Sequence, residues 1–198
     1  RTSYLQAFTR KYISALYKKQ GNDLMAELTF SIKGFYKDQK QSMAMEKLLL
    51  SSQRTAWQDL FVGIYPYKLA DIYESRAIYL FYKDKIDEAI VEFEKITPFE
   101  NKMYNWESNK YEILMVDYRT SELPGNPFNG KIKDCNDCDH AAKQSVKYSQ
   151  LNFLIKIKEM KAKIAAGEDV YSNALLVGNA FYNASYFGNA RSFYYNEI

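Results

Sequence analysis

Along most of the chain the apolar positions recur at helical intervals. In residues 3–19, Leu5, Phe8, Tyr12 and Leu16 fall on one stripe of a helix. Gly21 and Asn22 supply a stop and a turn. Further helical patterns cover residues 23–37, 41–51 and 55–65. Pro66 breaks the chain before a pattern over 67–82, and Asp84 and Lys85 turn it into 87–96, which Pro98 ends. Residues 100–118 read as one more helix. Periodicity then vanishes over 121–147, where Pro124, Gly125, Pro127 and Gly130 accompany a cluster of Asp, Asn and Cys. A connection this long is uncommon in a compact domain and is often functional. The pattern returns near Ser149, with Phe153, Ile157, Met160 and Ile164 on one stripe. Gly167 stops that helix, Asp169 can cap another reaching residue 184, and a last helix begins near Gly188. No strand pattern competes with these assignments, so the expectation is an all-α chain.

Two segments repeat one arrangement of side-chain sizes. The first holds Ala77, Leu80, Ala89 and Phe93; the second holds Gly178, Phe181, Ala190 and Tyr194 at the same offsets. A small residue on the first helix of a pair and Ala on the second let two backbones cross closely, and the large residues fill the space beside the crossing. Such a pair leaves a ridge that the next pair must cover. On these residues, 71–96 resembles one tetratricopeptide repeat. Residues 169–197, with Leu176-Val177-Gly178-Asn179-Ala180-Phe181-Tyr182 and Gly188-Asn189-Ala190-Arg191, are similar to another. Ile96 stands where that family has a small residue, Pro98 comes earlier than its closing proline, and the stretch between the two matches is no evident repeat. The resemblance implies a tetratricopeptide-like α-solenoid of antiparallel helix pairs with one long Cys-containing loop. It would form a single region over 1–198: a helical array over 1–120, the loop over 121–147 and a second array over 148–198. Arg1 follows no Met or apolar leader, and Ile198 comes directly on a helical pattern. The expectation is a fragment of a longer protein.

In such a stack the first helices of each pair line a concave groove. Asn179, Tyr182 and Asn183 would lie on that face as partner-binding residues. An Asn carboxamide can both donate to and accept from a peptide backbone without choosing a sequence, and in the resembled family an Asn at the position of Asn179 does so. The aligned first repeat has Ile78 there. The competing reading has these Asn side chains bonding neighbouring turns.

A second resemblance covers residues 127–194. Pro127-Phe128-Asn129, Asp134-Cys135-Asn136-Asp137-Cys138-Asp139-His140, Ala180-Phe181-Tyr182-Asn183 and Tyr186-Phe187-Gly188-Asn189-Ala190-Arg191 look like segments of uncharacterised, tetratricopeptide-like envelope proteins of the Bacteroidota. This implies a cell-envelope setting on the periplasmic side and a larger parent protein, and implies no known activity.

Composition narrows the function classes. The chain has 18 Tyr and 12 Phe against only 4 Pro and 8 Gly, which suits long packed helices with wide contact surfaces. The net charge of +3 is spread in mixed patches such as Lys156-Ile157-Lys158-Glu159-Met160-Lys161, not gathered on a basic face, which argues against nucleic acid. No apolar run approaches the roughly 18–20 residues of a membrane span.

The two cysteines lie beside the one histidine. Cys135 and Cys138 can close a disulfide, as an oxidising compartment favours. With His140 and one Asp they can complete a tetrahedral Zn²⁺ site. They can also stay reduced and structural, or act as a redox pair, although such pairs usually follow a strand in a βαβ unit. Any Ser-His-Asp or Cys-His site must use His140, which has no nucleophile elbow near it, and no Gly-rich phosphate loop occurs. The expectation is therefore a non-enzymatic scaffold or adaptor that holds a protein partner, possessing no cofactor unless Zn²⁺, within a multi-protein envelope assembly. Its alternatives are a metal-binding or redox module at Cys135, Cys138 and His140, and a structural spacer.

Overall fold

The computed structural model describes residues 2–129, 146–196 and 198. The chain divides into two compact units, residues 1–72 with Ile198 and residues 73–197. Among the described residues it is mostly helical, with one two-stranded antiparallel sheet.

The first unit contains α1 (Thr2–Lys19), α2 (Asp23–Thr29), α3 (Gln39–Leu50) and α4 (Ala56–Val62). α5 (Leu69–Tyr82) begins there and continues into the second unit. The stops follow the sequence signals: Gly21 adopts φ +71°, and Asn22 caps α2 by accepting from the Met25 N–H. Thr55 and Gln58 form a reciprocal capping box at α4. Met25, Leu28, Met45, Leu48, Phe61 and Ile72 make the core, joined by Phe35 and Tyr36.

Two expectations change here. The pattern over 23–37 is not one helix. α2 ends at Thr29, Phe30 turns extended, Gly34 takes φ +83°, and a 3-10 turn at Phe35–Lys37 swings two rings into the core. The stripe of Leu5, Phe8, Tyr12 and Leu16 does not enter the core either. α1 packs on α2 through its other face, where Ser14 Oγ donates to Ala26 O (2.8 Å) and Arg10 Nε donates to Thr29 O (2.8 Å). The aromatic and Leu stripe faces solvent.

A carboxylate lies in this core. Glu27 has no exposed surface; its Oε1 accepts from Tyr65 OH (2.8 Å), its Oε2 accepts from the Ile32 N–H, and Tyr65 OH meets Tyr36 OH. The bond to Ile32 draws the chain back after α2, which is why the helix stops there.

The second unit carries the rest of α5, then α6 (Ile86–Glu94), β1 (Phe99–Asn105), β2 (Lys110–Val116), α7 (Gln150–Ala165) and α8 (Val170–Asn183), with a 3-10 turn at Arg191–Phe193. α7 packs against α6 on one side and α8 on the other. Its stripe is a core face: Phe153, Ile157 and Met160 are buried. Rings dominate the interior. Phe81 stacks on Phe181 (centroids 4.5 Å apart, planes at 13°) and meets Phe193 edge-on at 5.0 Å, and Phe153 lies 5.1 Å from Phe193 and 5.7 Å from Phe128. Each such ring pair adds about 0.5–1.5 kcal/mol beyond the burial of its area. The largely buried Arg76–Glu92 pair (2.9 Å) ties α5 to α6.

The helix expected over 100–118 is instead a hairpin, which corrects the all-α reading. β1 and β2 pair in antiparallel register from Phe99 opposite Val116 to Asn105 opposite Lys110. The turn explains it. Asn105 Oδ1 accepts from the N–H groups of Glu107 (2.9 Å) and Ser108 (3.2 Å), and Asn109 takes φ +54°. This local side-chain bonding competes with helix, while Tyr111, Ile113 and Val116 favour strand.

The small-residue positions divide between interior and surface. Ala77, Ala89 and Ala190 are fully buried, whereas Gly178 is exposed, and a Cβ there would meet no atom within 4 Å. No close crossing forms at Gly178. The helix expected from Gly188 is a tight turn and the 3-10 turn at Arg191–Phe193.

Burial pushes the Glu27 carboxyl above its ordinary value of 4.5, against the opposing pull of its bonds from Ile32, Tyr65 and Ser31. The folded state therefore holds this proton more tightly than the unfolded chain. Stability contributed by Glu27 is full below pH 4.5 and is lost as pH rises toward its raised folded value. Glu27→Gln should flatten that fall in urea-denaturation midpoints measured upward from pH 4.5; an unchanged slope would show that other groups cause it.

Candidate functional site: a carboxamide clamp on the chain's own backbone

Asn179 and Asn183 stand one turn apart near the end of α8, so their side chains share a face. Beyond the helix the chain doubles back sharply. Ser185 Oγ accepts from the Phe187 N–H, the Gly188 N–H donates to Ser185 O (3.2 Å), and the Ala190 N–H donates to Asn183 O (2.9 Å). This closes residues 183–190 into a loop that brings Asn189 beside the two helical Asn. Tyr82 OH donates to Ala184 O and holds the end of α8 to α5.

Gly188 makes the reversal possible. A Cβ at this position would lie 2.1 Å from Asn183 Cα and 2.3 Å from Asn183 O, which are backbone atoms with no room to yield.

The three carboxamides converge on residues 126–129. Asn189 Nδ2 donates to Asn126 O (3.2 Å), Asn183 Nδ2 to Pro127 O (3.0 Å) and Asn129 O (2.7 Å), and Asn179 Nδ2 to Phe128 O (3.0 Å). Four consecutive carbonyls are thus taken by three side chains. Carbonyls only accept, so each carboxamide must present its nitrogen. Two of the segment's donors turn inward on it: the Phe128 N–H goes to Asn126 Oδ1 (2.9 Å) and the Asn129 N–H to Asn126 O (3.3 Å), while Pro127 has no N–H. Phe128 is buried, with its ring 4.9 Å from Tyr148. Gly125 lets Asn189 approach, since a Cβ there would sit 2.8 Å from Asn189 Cγ.

Just before the clamped residues the chain pairs with the strand that leads into α7. The Leu123 N–H donates to Tyr148 O (2.8 Å), the Gln150 N–H donates to Ser121 O (3.0 Å), and Glu122 bridges Ser149. Cys135, Cys138 and His140, the residues of the disulfide and Zn²⁺ readings, lie outside the described residues. Both flanks of their segment are held, by the clamp on one side and by this short ladder on the other.

Of the three expected partner-binding residues, Asn179 and Asn183 act together, and their bond partner is this chain's own backbone. Tyr182 points elsewhere and is half-exposed. Sequence reasoning missed Asn189, Gly125 and Gly188. Pro127-Phe128-Asn129, Asn183 and Asn189 all stand in segments quoted above, and in the structure they dock on one another. Among the described residues no group of three or more His, Cys, Asp or Glu side chains is placed to hold a metal ion, and no helix is long and apolar enough to cross a membrane. No protein-family model, curated protein or solved structure matches the chain.

Asn183 is buried and makes two of the four bonds. Asn183→Ala should cost about 2–4 kcal/mol in denaturant unfolding, because two carbonyls lose their donor. Asn183→Asp should cost more at pH 7, since a carboxylate then faces two carbonyl oxygens, and should recover in acid, where its raised pKa restores a donor. Equal losses at all pH values would show that the side chain merely fills space.

Proposed function

We propose that this chain is a protein-binding scaffold or adaptor within a larger cell-envelope protein, stacking its helices in the manner of tetratricopeptide pairs. The observation that carries this reading is the second apolar face of α1. Tyr4, Leu5, Phe8, Tyr12 and Leu16 range from 84% exposed at Tyr4 to 40% at Leu16, while the opposite face of the same helix already packs on α2. A helix apolar on two sides suits a position between two neighbours. The stripe spans about 18 Å at 1.5 Å per residue, a length typical of helix-on-helix contacts.

Charge selects the occupant. α1 carries Arg10, Lys11, Lys18 and Lys19 and no Asp or Glu. A second α1 would set like charges together. The complementary partner is a protein helix whose apolar face is flanked by carboxylates. Placing benzoylphenylalanine at Phe8 in the parent protein tests this. Photocrosslinks to a peptide with acidic, helically spaced apolar residues are expected. Adducts to lipid alone, or none at all, would overturn the reading and favour a structural spacer.

A second reading is supported by the anchoring on both sides of residues 130–145. Main-chain bonds at Leu123 and Gln150 and the clamp at residues 126–129 fix the described residues on either side of Cys135, Cys138 and His140, the residue types that metal or thiol chemistry uses. Zinc analysis with a thiol count discriminates. One Zn²⁺ per chain that is lost in Cys138→Ser supports it, and an intact disulfide without metal removes it.

A further inference from the structure

The two-stranded sheet has two outer edges of opposite character. β1 presents Glu100, Asn101, Lys102 and Asn105. β2 is apolar through its middle, and Tyr111, Ile113 and Met115, which share one face, are 65%, 67% and 68% exposed. Glu112, the one carboxylate within β2, is engaged inside its own hairpin: it accepts from Ser108 Oγ (2.7 Å) and Asn105 Nδ2 (3.0 Å). A lone two-stranded hairpin is marginal in water, and an exposed apolar edge is a template for another strand.

The order of residues along β2 says which strand fits. Closed pairing of two copies is isologous, so an antiparallel pair must be centred on one residue. Centred on Ile113, all seven residues of β2 pair with those of the second copy. Ile113 then faces Ile113, Tyr111 faces Met115, Glu112 faces Leu114 and Lys110 faces Val116, with no like charges opposed. The equivalent full-length pairing of β1 would set Lys102 against Lys102.

We propose that this hairpin is a self-pairing arm: β2 adds to β2 of a second copy across a two-fold axis at Ile113, making the four-stranded sheet β1–β2–β2′–β1′. The face that results gathers Tyr104, Tyr111, Ile113 and Met115 from each chain. In the single chain Tyr104 already meets Tyr111 edge-on at 5.1 Å, and Lys102 Nζ lies 5.0 Å from the Tyr111 ring. The contact is independent of the α1 surface.

Sedimentation equilibrium of the 198-residue chain should report a dimer. Ile113→Lys should weaken it at least about tenfold, because two ammonium groups meet at the axis, and mixing Ile113→Lys with Ile113→Glu should restore dimer as a heterodimer. Ile113→Cys should crosslink across the axis under mild oxidation beyond the unsubstituted chain, and Met103→Cys on β1 should not. Helical circular dichroism serves as the folding control. A monomer at all concentrations, a dimer that survives Ile113→Lys, or equal crosslinking at both positions would each overturn the assignment.

Discussion

Four adjacent main-chain carbonyls, shielded from water to differing degrees, take side-chain donors, and in the second unit the residues around 126–129 are arranged to supply them. A carbonyl withdrawn from solvent without a donor costs about 1–3 kcal/mol, and the Pro127 carbonyl, whose bond is the buried one, needs its donor most. Among the described residues no helix or sheet ladder reaches this segment. Asn179, Asn183 and Asn189 replace the ladder, and their demand for proximity shapes what surrounds them: the reversal after α8, the bare backbone of Gly188 against Asn183, and the absence of a side chain at Gly125.

The aromatic interior and the clamp depend on each other. Phe128 cannot enter the core unless the backbone on either side of it is held, and the carboxamides cannot converge unless α8 is seated on α7 through Phe181, Phe81 and Phe153. Burial of the rings drives the packing without direction. The bonds from the Asn side chains choose one arrangement among those that would bury the same area. The first unit solves a similar problem differently, by taking Glu27 into the core and closing its oxygens with Tyr65 OH and the Ile32 N–H.

The clamped carbonyls and the Glu27 carboxyl find partners inside the chain, whereas the surface leaves large apolar side chains open. α1 and the hairpin each show large apolar side chains to water. Their chemistries differ: a helix bordered only by bases calls for an acidic counterpart, whereas a strand whose residues read as their own complement calls for itself.

Helix periodicity was legible wherever one stripe met one core. α7 is the clear case, since Phe153, Ile157 and Met160 lie where their spacing places them. Periodicity could not say which face is inward on a helix with two apolar sides, so α1 turned its aromatic stripe outward. It also failed over 99–116, where short apolar runs fit helix and strand alike. There the Asn105 bonds that close the turn decided for strand. The candidate site was half visible: one helical turn puts Asn179 and Asn183 on a common face, and the tetratricopeptide resemblance, not their spacing, suggested that they read a peptide backbone. That their target is residues 126–129 of the same chain, with Asn189 completing the set, depends on a contact between segments some fifty to sixty residues apart. Local spacing determined helices such as α7 and the common face of side chains one turn apart. Tertiary structure alone decided the inward face of α1, the hairpin and the clamp's target, because these follow from which distant groups exclude water from one another.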